Sequence, residues 1–377
     1  MRKISERGDI NTMDVYYYPI HEAMLHFPMI AILLTIPYML WQYHRLGAVS
    51  FLESLFLFSF FFYMLCAYYL VILPLPDIAS VAGKTGPFAQ LVPFHFVVEF
   101  LQNTVLKIRD IGTYLGALKQ GVFLQPLFNF LLTVPFGVFL GFFFQAGWKK
   151  TLLFSFLLSL FFELTQLTGL YGIYPKPYRL FDVDDLMLNT LGGMLGWRLG
   201  HHLRFLPTKK ELEVHSRERG LTVSYTRRLL ADMVDMVCLT ACCILLSFLL
   251  STTSLWMELL YFLLYFVGLG TLFRGKTPGK ALVRIRMEGT GKHPLPIALF
   301  IKYGVLLLPQ LALLPPLLPI LLSELGVYLA VFLYTAVDWL RSFSRDRRLW
   351  YERLSGTKNV NNIPWKSSGA ISREREE

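Results

Sequence analysis

Residues 52–74 read LESLFLFSFFFYMLCAYYLVILP. Glu53 carries the only charge, and the run after it is apolar on every helical face. A helix that packs on a soluble core keeps a polar stripe for water, whereas one apolar all round belongs in lipid or deep inside a large protein. About 20 such residues cross the hydrocarbon core of a bilayer. The chain as a whole supports the lipid reading. It is 54% hydrophobic and 16% charged, with 32 Phe and 19 Tyr. One aqueous core cannot bury that much apolar surface, and the balance excludes an ordinary soluble enzyme. The net charge of +10 is expected of basic loops beside a membrane and needs no nucleic-acid partner.

Working outward, similar segments fall at 22–43, 124–145, 151–171, 185–205, 229–250, 255–273, 299–320 and 323–340. The chain is therefore expected to be an all-α, polytopic integral membrane bundle of about nine spans. The segment at 185–205 is interrupted by Asn189, Arg198, His201 and His202, and that at 299–320 by Pro309, Pro315, Pro316 and Pro319. Basic residues gather in alternate connections: Arg45; Lys149 and Lys150; Lys209 to Arg228; Arg274 to Lys292; and the tail. The positive-inside rule then places the N-terminus outside and the C-terminus in the cytoplasm of a multi-pass cell-membrane protein. The long 75–120 connection lies outside, and its apolar part, 91–108, is expected to form a short interfacial or re-entrant helix. The first twenty residues are polar and tyrosine-rich, unlike a cleavable signal. Cys66, Cys238, Cys242 and Cys243 sit in apolar stretches and read as packing residues.

The division expected is a five-span unit at 1–205, a charged cytoplasmic linker at 206–220, a four-span unit at 221–360 and a disordered tail at 361–377. Polar chemistry in the first unit concentrates in residues 161–199, FFELTQLTGLYGIYPKPYRLFDVDDLMLNTLGGMLGWRL. Glu163 and Gln166 share a helix face. Asp182, Asp184 and Asp185 begin the next helix, where carboxylates complement the positive dipole end, with Arg179 as their partner. Asn189 follows Asp185 by four residues, and Gly192 and Gly196 give the small-xxx-small spacing that lets another helix approach. One reading is helix capping and packing. The other is a pocket open to the outside, in which Arg179 binds an anion such as a lipid phosphate beside Glu163 and the aspartates. No metal or other cofactor is expected.

The spacing of these residues resembles the VanZ-like family, named for a teicoplanin-resistance membrane protein. Gln90-Leu91-Val92-Pro93-Phe94 matches its first motif, with Gln for the usual Asn. Asn129, Pro135 and Gly137 match the second, Glu163 and Gln166 the third. Arg179, Phe181, Asp182, Asp185, Asn189 and Gly192 match the last. The resemblance covers roughly residues 20–205. It implies a role in resistance to glycopeptides or lipoglycopeptides, with membrane lipids and a lipid-linked or glycopeptide ligand as partners.

Residues 221–360 resemble the RDD family. Arg228 and Asp235 share a helix face, and Asp232 stands at ion-pair spacing from Arg228. Gly275-Lys276-Thr277-Pro278-Gly279-Lys280 matches a family loop and is not a phosphate-binding P-loop, because the spacing and the following Ala281 differ. Glu352-Arg353-Leu354-Ser355-Gly356-Thr357 matches the closing motif, with Glu for Asp. Proton- or cation-coupled transport through Glu163, Asp232 and Asp235 is the rival function. Enzymatic activity is disfavoured, since no Gly-x-Ser-x-Gly or comparable constellation is present.

Overall fold

The computed structural model describes residues 12–203, 206–250, 255–311 and 348–363. The chain is mostly helical and forms two compact units, Met1–Leu33 with Phe51–Leu212, and Leu34–Ser50 with Glu213–Glu377. Helix α1, Thr12–Leu46, contributes to both. It stops at Gly47, whose φ of +76° is the left-handed cap that glycine adopts without a Cβ clash.

In the first unit, α2 is Phe51–Ile72, α3 His95–Asn103, α4 Gly121–Leu132, α5 Val134–Val138, α6 Trp148–Leu167 and α7 Val183–Gly200. The 124–145 segment is broken into α4, α5 and a π-helical turn at Phe139–Phe143. Pro135, near the start of α5, has no N–H to continue the ladder. Thr133 at the break instead donates its Oγ1 hydroxyl to Asn189 O at 2.5 Å. Helix α7 is central and packs on α4, α5 and α6. An aromatic-rich core of Phe136, Phe162, Tyr174 and Tyr178 with Ala67 and Val71 fills the space beside it. On α1, Met29, Ile32 and Leu33 are 72%, 72% and 75% exposed. In water such a row would be a liability, whereas lipid is its natural solvent.

The second unit holds α8, Lys209–Gly220, whose later turns belong to it, then α9, Tyr225–Leu250, and α10, Leu255–Leu263. Next come α11, Pro278–Leu282, α12, Leu295–Leu311, and α13, Trp350–Ser355. The 206–220 stretch expected as a linker is thus largely helical, with Leu212 and Ser216 buried.

The all-α expectation needs correction in two places. Strands β1, Ala89–Gln90, and β2, Phe181–Asp182, pair in parallel, and β3, Ile285–Gly289, pairs antiparallel with β4, Thr357–Asn361. In β3 the apolar Ile285 and Met287 alternate with Arg286 and Glu288, and only the apolar pair is fully buried, the pattern of a half-buried strand.

Among the described residues, five helical stretches are long and apolar enough to cross a membrane: Tyr17–Leu46, Phe51–Ile72, Gly121–Phe143, Trp148–Leu167 and Tyr225–Leu250. Leu259–Leu272 and Leu295–Val305 are apolar but shorter. Helix α7 exists, yet Asp184, Asp185 and Arg198 set it apart from those five. The 323–340 span, Pro315, Pro316 and Pro319, and the tail from residue 364 lie outside the described residues. The 91–108 segment contains the nine-residue helix α3, with Val97, Val98 and Leu101 exposed.

Candidate functional site

The acidic turn at the head of α7 is assembled from four elements of the first unit. Asp182 caps the helix and accepts from Asp184 N at 2.8 Å. Burial raises its carboxyl above the usual carboxylate range; the bond from Asp184 N opposes that rise and the Asp184 charge adds to it. Glu163, buried on α6, accepts Asp182 N on Oε2 at 2.9 Å. Gln166, one turn on, donates to Val71 O at 3.2 Å. Asp185 accepts from Asn129 Nδ2 on α4. Asn189 donates to Ser159 Oγ at 2.9 Å, and Ser159 in turn donates to Asp185 O at 3.2 Å. The Asn189 Oδ1 and Ser155 Oγ atoms are buried without a protein partner among the described residues.

Asp184 has a different task. Its two oxygens accept from Phe94 N at 2.6 Å and Phe96 N at 2.9 Å. Phe94 is in the left-handed region, at φ 64°. The carboxylate therefore holds the start of α3, while β1–β2 pairing sets Gln90 beside Asp182. The Gln90–Phe94 motif and the Asp182–Asp185 motif are one structural junction. Asp184→Ala should orphan both amides and cost about 1–3 kcal/mol. Hydrogen exchange at Phe94 and Phe96 is expected to speed up, and unchanged exchange would show that the carboxylate does not hold them. With Asp182, Asp184 and Asp185 each spent on a separate partner, the acids do not converge, and among the described residues no group of three potential metal ligands does.

Arg179 departs from expectation. It is exposed, donates from Nη2 to Leu73 O at 3.1 Å, and pairs with no carboxylate among the described residues. The aspartate oxygens bond backbone amides and Asn129, and Arg179 makes no salt bridge with them among the described residues, although its charge acts on Asp185. Two lysines that sequence reasoning passed over stand with it. Lys84 donates to Tyr178 O at 2.5 Å, and Lys176 to Lys84 O at 2.8 Å. Each of the three cations binds a backbone carbonyl and none has an acid partner among the described residues. The buried Tyr178 hydroxyl has no partner among the described residues either. The only sequence signal for this trio is Lys176 and Arg179 flanking the same proline turn. His201 lies at the far end of α7, its Nδ1 2.9 Å from Trp197 O.

In the second unit the motif residues form a buried charge network. Asp235 receives Tyr265 Oη at 3.0 Å, Thr277 Oγ1 at 2.5 Å, Gly279 N at 2.7 Å and Lys280 Nζ at 3.2 Å. Lys280 also reaches Asp232 at 3.0 Å. Burial works against the Lys280 charge, but Asp232, with Asp235, more than offsets it and holds the ammonium well above the ordinary lysine range. Arg228 does not pair with Asp232. It bonds Glu352 at 2.9 Å, because Asp232 stands half in solvent while Glu352 is buried beside the guanidinium. Glu352 also accepts from Leu349 N at 3.0 Å and Asn359 Nδ2 at 2.5 Å, and lies 3.6 Å from Lys302. The Lys276 side chain takes no part in these bonds. Arg227 and Lys302, both fully buried, were not singled out in the sequence. Arg227 donates to the carbonyls of Val283, Gly220 and Arg284 and to Asn361 Oδ1.

Apolar helices of spanning length, with polar junctions where they end, are those of a helical membrane protein. Residues 60–204 match the VanZ/LLP1 family model, which covers α7 and the acidic turn. No curated protein and no solved structure matches the chain.

Proposed function

We propose that this is a multi-pass cell-envelope protein that lowers susceptibility to teicoplanin-type glycopeptides by binding a lipid or lipid-linked anion at the outer leaflet. The observation that carries the reading is the trio Lys84, Lys176 and Arg179, none with a carboxylate partner among the described residues, at the junction that also holds the family motifs. Cations left with spare donors beside a membrane favour a phosphate-like group. Glu163, Asp182, Asp184, Asp185 and Asn189 hold the junction in shape beneath them. In this reading the trio faces outward, the N-terminus is outside, and residues 221–360 form an RDD-like second module on a nine-span chain.

Arg179→Ala and Asp182→Ala are expected to lower glycopeptide resistance toward that of cells lacking the protein, with membrane levels unchanged. Growth inhibition measured alongside quantitative blotting tests this. Parent-level protection by both variants would remove the reading. Proton- or cation-coupled transport has weaker support. Asp235, its central carboxylate, is held by four donors, an arrangement suited to a fixed charge more than to one that is loaded and released.

A further inference from the structure

A cavity of about 390 Å3 in the second unit is lined by Tyr43, Gly47, Arg219, Thr222, Ser224 and Thr226, among others. It lies at the ends of two candidate spans, where Tyr17–Leu46 closes and Tyr225–Leu250 begins. The ends of spanning helices sit at headgroup depth, and the neighbouring Arg45 over the Trp41 ring, 5.2 Å from its centroid, is the kind of aromatic and cationic pair that settles there.

Three features give the cavity an anionic preference. Arg219 is exposed and its side chain has no partner among the described residues, whereas nearby Arg45 is already held by Glu213 at 2.7 Å. Ser224 accepts from Arg227 N at 3.3 Å at the head of α9, so the positive end of a long helix dipole opens on the cavity. Tyr43 is only 4% exposed, yet its hydroxyl has no hydrogen-bond partner among the described residues. The adjacent Arg227 does not serve it, being committed to three carbonyls and Asn361. Tyr43 thus lines the cavity with a hydroxyl donor left unspent, which an acceptor there can take up.

The floor is rigid. A Cβ on Gly220 would meet Leu46 O at 2.1 Å, so the backbones of Gly47 and Gly220 touch, and Arg227 Nη1 pins Gly220 O at 3.1 Å.

We propose that this cavity binds a phosphate group, that of an anionic phospholipid headgroup, between Arg219, the Tyr43 hydroxyl and the first turn of α9. The site is separate from the cation trio of the first unit and stands or falls without it.

The test uses the full chain in detergent, titrated with short-chain phosphatidylglycerol, short-chain phosphatidylcholine and inorganic phosphate, with binding read by native mass spectrometry and calorimetry. One phosphatidylglycerol is expected to bind in preference to phosphatidylcholine. Arg219→Gln and Tyr43→Phe should each weaken it about tenfold, the value of one charge-assisted or buried hydrogen bond. Lys210→Gln, which removes the same charge from α8 outside the cavity, should leave binding unchanged. Inorganic phosphate bound as tightly, with the same losses in both variants, would support the phosphate site while assigning it to the free ion. Equal binding of the two lipids, or unaltered affinity in both variants, overturns the proposal. Thermal unfolding of each variant checks that the fold is retained.

Discussion

Lys280→Met is expected to lower the stability of the second unit by about 3–5 kcal/mol, the usual consequence of leaving one half of a buried ion pair behind. The substitution keeps most of the side-chain volume and removes the charge. Asp235, with no exposed surface, would then lose its one cationic partner among the described residues, while Asp232 remains half exposed and can turn to water. Adding Asp235→Asn to Lys280→Met should recover part of the loss, since the orphaned charge goes with it. Thermal unfolding in detergent gives both numbers, and a Lys280→Met melt equal to the parent's would show that the network contributes little. The pH dependence has a definite sign. Lys280 is raised in the folded state above its ordinary value of 10.5. Its contribution is therefore intact below that value and is lost only as pH climbs through the higher folded value. Mild acid and neutral pH should leave this part of the stability untouched.

Gly196→Leu should prevent the first unit from folding. A Cβ there would sit 1.9 Å from Val134 O and 2.8 Å from Val134 C. These are backbone atoms and cannot swing aside as a side chain would. Gly137 and Gly192 meet the same limit, each with a carbonyl oxygen 1.9 Å from the added atom. Overpacking by a methyl or two in a tight core costs about 1–3 kcal/mol, and a leucine between two backbones exceeds that. The expected result is aggregated or degraded protein on size exclusion. Gly121→Ala, with nothing within 4 Å of the new atom, should run as the parent does. A monodisperse Gly196→Leu protein would mean that α7 is not seated on α5 as described.

The apolar helices and the glycine face of α7 were legible because both depend on local pattern: uninterrupted apolar length in one case, small residues four apart in the other. Asp182 as a helix cap was legible for the same reason. The partners of the charges were not. Spacing along α9 puts Asp232 within reach of Arg228, but Glu352, 124 residues away, is buried against the guanidinium and takes the bond. The cation trio drew Lys84 from the long 75–120 connection, which was read for its side of the membrane and its apolar part alone. Strand β3 carried its signal in alternate Ile285 and Met287, but that signal was masked by the arginines around it, and its partner β4 begins only at Thr357.

The bonds from Phe94 and Phe96 to Asp184 close a chain distance of about ninety residues. A ribosome adding about 5–20 residues per second delivers Asp184 on the order of 5–20 s after the segment it must hold. During that interval the amides at the head of α3 and the β1 edge lack the partners that α7 and β2 later supply. The junction therefore cannot close until α7 has been made, after the candidate spans of the unit that precede it in the chain. Membrane insertion and completion of the junction are separate events in the life of this protein.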